Sequence, residues 1–188
     1  GFRRASERIL EGLQRLEYRG YDSSGVSVID HEGNLSVQKA AGRLANLESL
    51  VADDLPDSSI GIGHTRWATH GPPTDRNAHP HLGGGCANGQ GHSVAIVHNG
   101  VVENYHSIKA RLEVEGYVFQ SETDSEVIAH LIDSSLKQIL SKGPRLTDDA
   151  TDSPCVMAVR EAISQLRGTY GLLVLFQDQP DLLVAARF

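Results

Sequence analysis

Ile9, Leu10, Leu13 and Leu16 recur at three- and four-residue intervals near the start of the chain, with Arg8, Glu11, Gln14 and Arg15 between them. That spacing predicts an amphipathic helix, with Ser6 as a candidate cap and Gly20 where a helix ends. The rhythm then changes to two. "VSVID" and "LSVQKA" alternate around Asp30-His31-Glu32-Gly33-Asn34, the signature of a β-hairpin. "RLANLESLVA" predicts a short helix, "IGIGHT" a buried strand, and residues 71–92 a long loop rich in Gly, Pro and His. In "SVAIVHNG", Val94, Ile96 and His98 fall on one face of a strand and Ala95 and Val97 on the other.

Beyond Val102 the period returns to helical. Tyr105, Ile108 and Leu112 predict a helix that stops at Gly116, and "YVF" a brief strand after it. The strongest stripe is Val127, Ile128, Leu131, Ile132 and Leu136, with Thr123 or Asp124 as the expected cap. "SKGPRLTDDATDSP" reads as a solvated connection and "VMAVREAISQL" as a further helix. "TYGLLVLFQD" and "LLVAARF" read as two strands around an Asp-Gln-Pro-Asp turn. Hairpin-joined strands outnumber regular strand–helix–strand units, which favours antiparallel sheets with helices outside.

The bulk numbers narrow the field. At 188 residues the chain suits one domain with a sizeable core. A net charge of −7 argues against nucleic acid or an anionic membrane surface as partner. No apolar run of about 18 residues occurs, so no membrane span is expected. The opening residues lack the apolar core of a secretion signal, and two cysteines without metal-type spacing point to a reducing, cytoplasmic setting.

Three loop ends carry candidate chemistry. "HTRWATHG" offers Arg66, whose planar fork suits a carboxylate. "HNG" offers Asn99 and Gly100, a side-chain amide and an N–H suited to an oxyanion. "SETD" offers Asp124, placed to meet an ammonium. Carboxylate, ammonium and reacting carbonyl together describe an α-amino acid with a side-chain acyl group, and glutamine fits. Read singly, each signal has a plain alternative. Arg66 and Asp124 also suit ordinary surface charges, Asn99-Gly100 a hairpin turn, Asp124 a helix cap and Trp67 a core residue. Seven of the nine histidines lie between His64 and His106, yet no zinc-type spacing accompanies them, so no metal and no cofactor is expected. Cys86, in a glycine-rich loop, and Cys155 read as inert thiols.

Taken together, "RLEYRGYDSSG", "HTRWATHG", "NAHPH", "VHNGVVEN" and "SETDSEVIAHL" resemble the glutamine-hydrolysing domain of the glucosamine-6-phosphate synthases, over most of the chain. The related amidophosphoribosyltransferases, asparagine synthetases and glutamate synthases share His-Asn-Gly but differ in the "EYRGYDS" block. The resemblance implies an N-terminal-nucleophile hydrolase fold, an α+β four-layer αββα sandwich of two antiparallel sheets between helices, spanning residues 1–188. It implies that Arg66 holds the glutamine α-carboxylate and Asp124 its ammonium. Asn99 and Gly100 would form the oxyanion hole, and Trp67, Thr69 and His70 would line the pocket. His79 would lie near it, and Arg19 close to the catalytic N-terminus.

In that family the nucleophile is a cysteine at the mature N-terminus, its own α-amino group serving as base. This chain opens on Gly1-Phe2 and ends on "AARF", inside an apolar strand. The expectation is therefore of a domain lacking its first strand and nucleophile, inactive as it stands, and continuing beyond Phe188. The resemblance further implies fructose 6-phosphate as acceptor and dimerisation, both through absent sugar-isomerase domains. Two alternatives stay open at this point: another amidotransferase of the class, and a non-catalytic module that binds an amino acid and regulates partners.

Overall fold

The computed structural model describes residues 4–68, 71–85, 91–142 and 153–188. The alternating stretches form one antiparallel sheet from β1 (Ser23–Ile29), β2 (Leu35–Ala41) and β3 (Ile60–Arg66), in the order β2-β1-β3. Ser23 stands opposite Ala41 on one side and Arg66 on the other. Asp30 shapes the hairpin turn: its carboxylate accepts the N–H groups of Glu32 and Asn34 at 2.8 Å, and Gly33 supplies a φ of 84°. Helices α1 (Ala5–Leu16) and α2 (Leu44–Asp54) cover the outer face, where Leu13, Val26, Val28, Leu44 and Leu47 share a cluster. A Cβ at Gly63 would collide with Ile9, so α1 can lie directly on β3 only because that position is bare.

The second sheet contains β4 (His81–Gly84), β5 (His92–Val102), β6 (Gly168–Phe176) and β7 (Gln179–Arg187), all antiparallel neighbours in that order. Helices α3 (Tyr105–Val114), α4 (Glu126–Lys142) and α5 (Pro154–Ser164) pack on its outer face. Val94, Ile96, Val174 and Phe176 meet Ile128, Leu131, Ile132 and Ala158 there. Between the sheets lie Ile29 and Ile62 from one and Ala95, Val97 and Leu175 from the other. Each of the larger side chains among these, Ile29, Ile62, Val97 and Leu175, stabilises the fold by about 1.5–3 kcal/mol on burial. The result is the expected αββα sandwich.

Several local expectations need correction. Ser6 is no cap: it lies buried inside α1, and the N-cap is Arg4, without a side-chain bond. Residues 117–119 form no strand, although Tyr117 is buried. The loop over 71–92 contains a strand, β4, and a short 3-10 turn, Asp75–Asn77, capped by the Thr74 hydroxyl. The final hairpin turns at Gln177-Asp178, so Pro180 and Asp181 belong to β7. Asn99-Gly100 is no turn. β5 runs straight through it, because β6 pairs residue by residue from Val94 to Val102. Thr69, His70, Cys86 and most of the expected connection at 141–155 lie outside the described residues.

Candidate active site

The inter-sheet core brings the C-terminal ends of β3 and β5 to the same rim. A cavity of about 530 Å³ opens there, and Arg19, Arg66, Trp67, His79, Asn99, Gly100 and Asp124 all line it. These are the sequence-derived candidates that fall among the described residues. The cavity has an apolar side, Leu13 and Leu16 of α1. His64, His98, Thr123 and Ser125 also line it, and sequence reasoning did not place them in the site, offering Thr123 only as a helix cap. The available signals were adjacency and parity: His98 precedes Asn99, Ser125 follows Asp124, and His64 shares the parity of Arg66 on β3.

Arg66 closes β3 and is only 5% exposed. Two backbone features fix its place. Asp22 N–H donates to the Arg66 carbonyl at 3.1 Å, and Gly20 packs so close to Thr65–Trp67 that a Cβ would meet Arg66 C at 2.9 Å. Arg66 Nη2 donates to the Gly71 carbonyl at 3.4 Å. Burial pushes the guanidinium pKa down, while the carboxylates of Asp124 and Asp22 push it back up. A guanidinium stays charged under any physiological condition. The next residue behaves differently: Trp67 is 57% exposed, tilted against Tyr21 with ring centroids 5.5 Å apart. It is a rim residue, not core.

Asp124 is also 5% exposed, and the structure overturns the expectation that it caps α4. Its Oδ2 instead accepts the N–H of Val102, at the end of β5, at 2.7 Å. The carboxylate is thus tied to a strand and turned toward the cavity. The segment that carries it is held from behind. Glu126 accepts the N–H groups of Gln120 and Ser121 at 2.9 and 2.7 Å, and the Ser121 hydroxyl at 2.7 Å. Burial opposes ionisation of Glu126, but His130 and these donors prevail and hold its carboxyl at about 2.

The donors come from the open edge of β5. β4 pairs with β5 only as far as Ile96, so residues 98–102 have a strand neighbour on the β6 side alone. On the other edge His98 N–H donates to His79 Nδ1 at 3.4 Å, and Val102 N–H to Asp124. Backbone N–H groups two residues apart in a strand share an edge. Gly100 stands midway, so its N–H points the same way, toward the cleft. Its φ of 150° and a Cβ position that would collide with the Thr169 carbonyl admit no larger residue.

Around these groups the imidazoles are kept neutral. Burial drives the His64 pKa down to about 4, with His98 and Arg66 adding repulsion. His79 falls well below its ordinary value through burial and the nearby His81, His64, His98 and Arg66. His98 is lowered by burial, against the pull of Asp124 and the Thr169 carbonyl. The His64 and His79 rings lie 4.5 Å apart. Among the described residues no group of His, Cys, Asp and Glu has the arrangement of a metal site. The cleft therefore holds one buried cation, one buried carboxylate and an edge of N–H donors in a mostly neutral surround.

Comparison with known proteins points the same way. Residues 86–187 match the model of the glutamine amidotransferase domain family. Glutamine–fructose-6-phosphate aminotransferase (isomerizing) of Pseudomonas putida is 48% identical over 95% of this chain, and that of Caldanaerobacter subterraneus 46% identical over all of it. The chain spans about a quarter of these relatives, 26% and 27% of their lengths. Among solved structures, glutamine phosphoribosylpyrophosphate amidotransferase from B. subtilis superposes with a TM-score of 0.72 at 25% identity, over 100% of this chain and 35% of its own.

Proposed function

The chain belongs to the glutamine amidotransferase domain family, and on that footing we propose that its cleft binds glutamine and serves release of the side-chain ammonia. The observation that carries this reading is the pairing of a buried guanidinium with a buried carboxylate on one cavity, beside an edge of inward N–H groups. Arg66 takes the substrate carboxylate with two parallel bonds, and Asp124 takes the ammonium. The side-chain carbonyl then reaches the Asn99 amide and Gly100 N–H. As a nucleophile adds, negative charge moves onto that oxygen, where preorganised donors contribute most. Neutral histidines suit such a site, because an imidazolium there would repel the incoming ammonium. Trp67 and Arg19 line the same cleft.

The attacking thiol is assigned to an N-terminal cysteine. Cys155 belongs to α5, packs into the core rather than lining the cleft, and burial raises its pKa. Following the family resemblance, the thiol of an N-terminal cysteine adds to the amide, its α-amino group shuttles the proton, and ammonia leaves. Water then cleaves the thioester to glutamate.

For the whole protein, transfer of the ammonia to fructose 6-phosphate is the best-supported destination. The relatives at 46–48% identity carry that name, against 25% for the phosphoribosylpyrophosphate enzyme. An amino-sugar product, a dimer formed through sugar-isomerase domains and a cytoplasmic setting belong to the same proposal. Among the described residues no helix is long and apolar enough to cross a membrane. The test is glutamate release by the intact natural protein with and without fructose 6-phosphate. Stimulation by the sugar phosphate is expected; glutamine binding without any glutamate release would favour a regulatory amino-acid-binding module instead.

A further inference from the structure

The two ends of the cleft sit on different segments. Asp124 belongs to the stretch before α4, and Asn99 and Gly100 to β5. Two fastenings join these segments. One is the bond from Val102 N–H to Asp124 Oδ2. The other lies four residues back along the strand, where His98 Nδ1 stands 2.8 Å from Ser125 Oγ. The same hydroxyl lies 3.4 Å from Asp124 Oδ1. The fastenings bracket Asn99-Gly100, one immediately before and one two residues after.

A single hydrogen bond would let the Asp124 segment pivot on β5. Two, made by strand residues four apart to neighbouring residues of the segment, hold it in both distance and direction. His98 is 3% exposed and Ser125 4%, so water competes little for the second bond. His98 is also held through its backbone, whose N–H is bonded to His79. Ser125 is committed to this bridge, between an imidazole and a carboxylate.

We infer that the His98–Ser125 pair is a length gauge: it fixes the spacing between the carboxylate that reads the ammonium and the donors that receive the side-chain carbonyl, and so sets the preference for glutamine over asparagine. The inference rests on the proposed glutamine site. Asparagine is one methylene shorter. Held by its head groups, it leaves its carbonyl about 1 Å short of its place against the donors, a misplacement of the size that costs ~10²-fold in rate. Selection by chain length demands that the two ends of the site cannot approach each other, which is what a second fastening supplies. His98 and Ser125 are thus positioning residues, acting through Asp124, Asn99 and Gly100.

The experiment compares kcat/KM for glutamine and asparagine in the intact natural protein and in Ser125→Ala and Ser125→Thr. In Ser125→Ala, kcat for glutamine should fall ~10-fold with KM within about threefold, and the glutamine-to-asparagine ratio should fall at least ~10-fold. Ser125→Thr keeps the hydroxyl and should restore most of the ratio. An unchanged ratio in folded Ser125→Ala, with the unsubstituted protein active, would overturn the gauge and leave the glutamine reading standing. Complete loss of turnover with glutamate still bound would also overturn it, giving Ser125 a direct part in the chemical step rather than a positioning one. An unsubstituted protein that releases no glutamate would overturn both. Should Ser125→Ala not fold, His98→Leu provides the same contrast, with the same loss of ratio expected and an unchanged ratio contradicting it.

Discussion

Buried polar groups gather in two regions of this molecule, and the two are wired differently. Along α4, Asp133 accepts the Tyr117 hydroxyl and the Lys137 ammonium, each at 2.7 Å, together with the Ser93 hydroxyl. Glu126, two turns earlier, is filled by Gln120 and Ser121. Their acceptors are spent on the chain itself. At the cleft, Arg66 and Asp124 are equally sheltered, while Asn99 and Gly100 on the β5 edge are exposed, and all four face a cavity of about 530 Å³. Polarity that closes on itself holds a fold together, whereas polarity that converges on a space is set up to hold something else. The His79 and His81 rings, 4.6 Å apart, stand at the border between the two.

Substitutions should separate the two regions cleanly. The largest effect is expected from Asn99→Ala in the intact protein, which should lower turnover by ~10²–10³-fold with little change in melting temperature. An effect confined to KM would place Asn99 in ground-state binding instead. Asp133→Ala should do the reverse. It leaves buried hydroxyls without an acceptor and should destabilise by about 2–4 kcal/mol in denaturant titration, while glutamate affinity in the folded protein is unchanged. Loss of affinity there would join the two regions into one. Arg66→Lys removes the fork and should weaken glutamate binding by ~1–3 kcal/mol in calorimetry, without unfolding.

A pH titration sharpens the border. The folded protein holds His64 at about 4 and His81 at about 3, through burial first and nearby positive charge second. The unfolded chain takes up those protons near 6.5, so it binds more protons than the fold between about 6.5 and 4. Stability should be fully present above pH 6.5 and fall below it, by up to ~1.4 kcal/mol per pH unit for each imidazole. Stability flat between pH 7 and 4.5 would show that these rings are not held neutral. The smallest effect belongs to the exposed Arg8–Glu11 pair at 3.5 Å, outside both regions. Arg8→Ala should change stability by less than about 0.5 kcal/mol and binding not at all.

The contrast also explains what could be read from sequence. Long apolar stripes were legible, because burial imposes their period: Val127, Ile128, Leu131 and Ile132 predict α4, and all four are buried. β4 was hidden, since "HLGG" is four residues long, half of them glycine, and exists by pairing with β5. Asn99-Gly100 has the composition of a turn, but ladder bonds to β6 override local preference. Asp124 has the position of a cap, but a strand N–H 22 residues away in sequence claims it. The three loop ends were legible as chemistry, because Arg, Asn-Gly and Asp have unusual donors or charges. Their partners were not, because the bond from His98 to Ser125 exists only after two distant segments meet.

The convergence of Arg66, Asp124 and the Asn99–Gly100 edge on a single amino acid is tested most directly by a crystal structure of the protein with glutamate bound. The α-carboxylate should lie on the Arg66 guanidinium, the ammonium on Asp124, and a side-chain carboxylate oxygen within 2.7–3.1 Å of the Asn99 amide and Gly100 N–H. Glutamate bound in the opposite direction, or outside the cleft, would contradict the account.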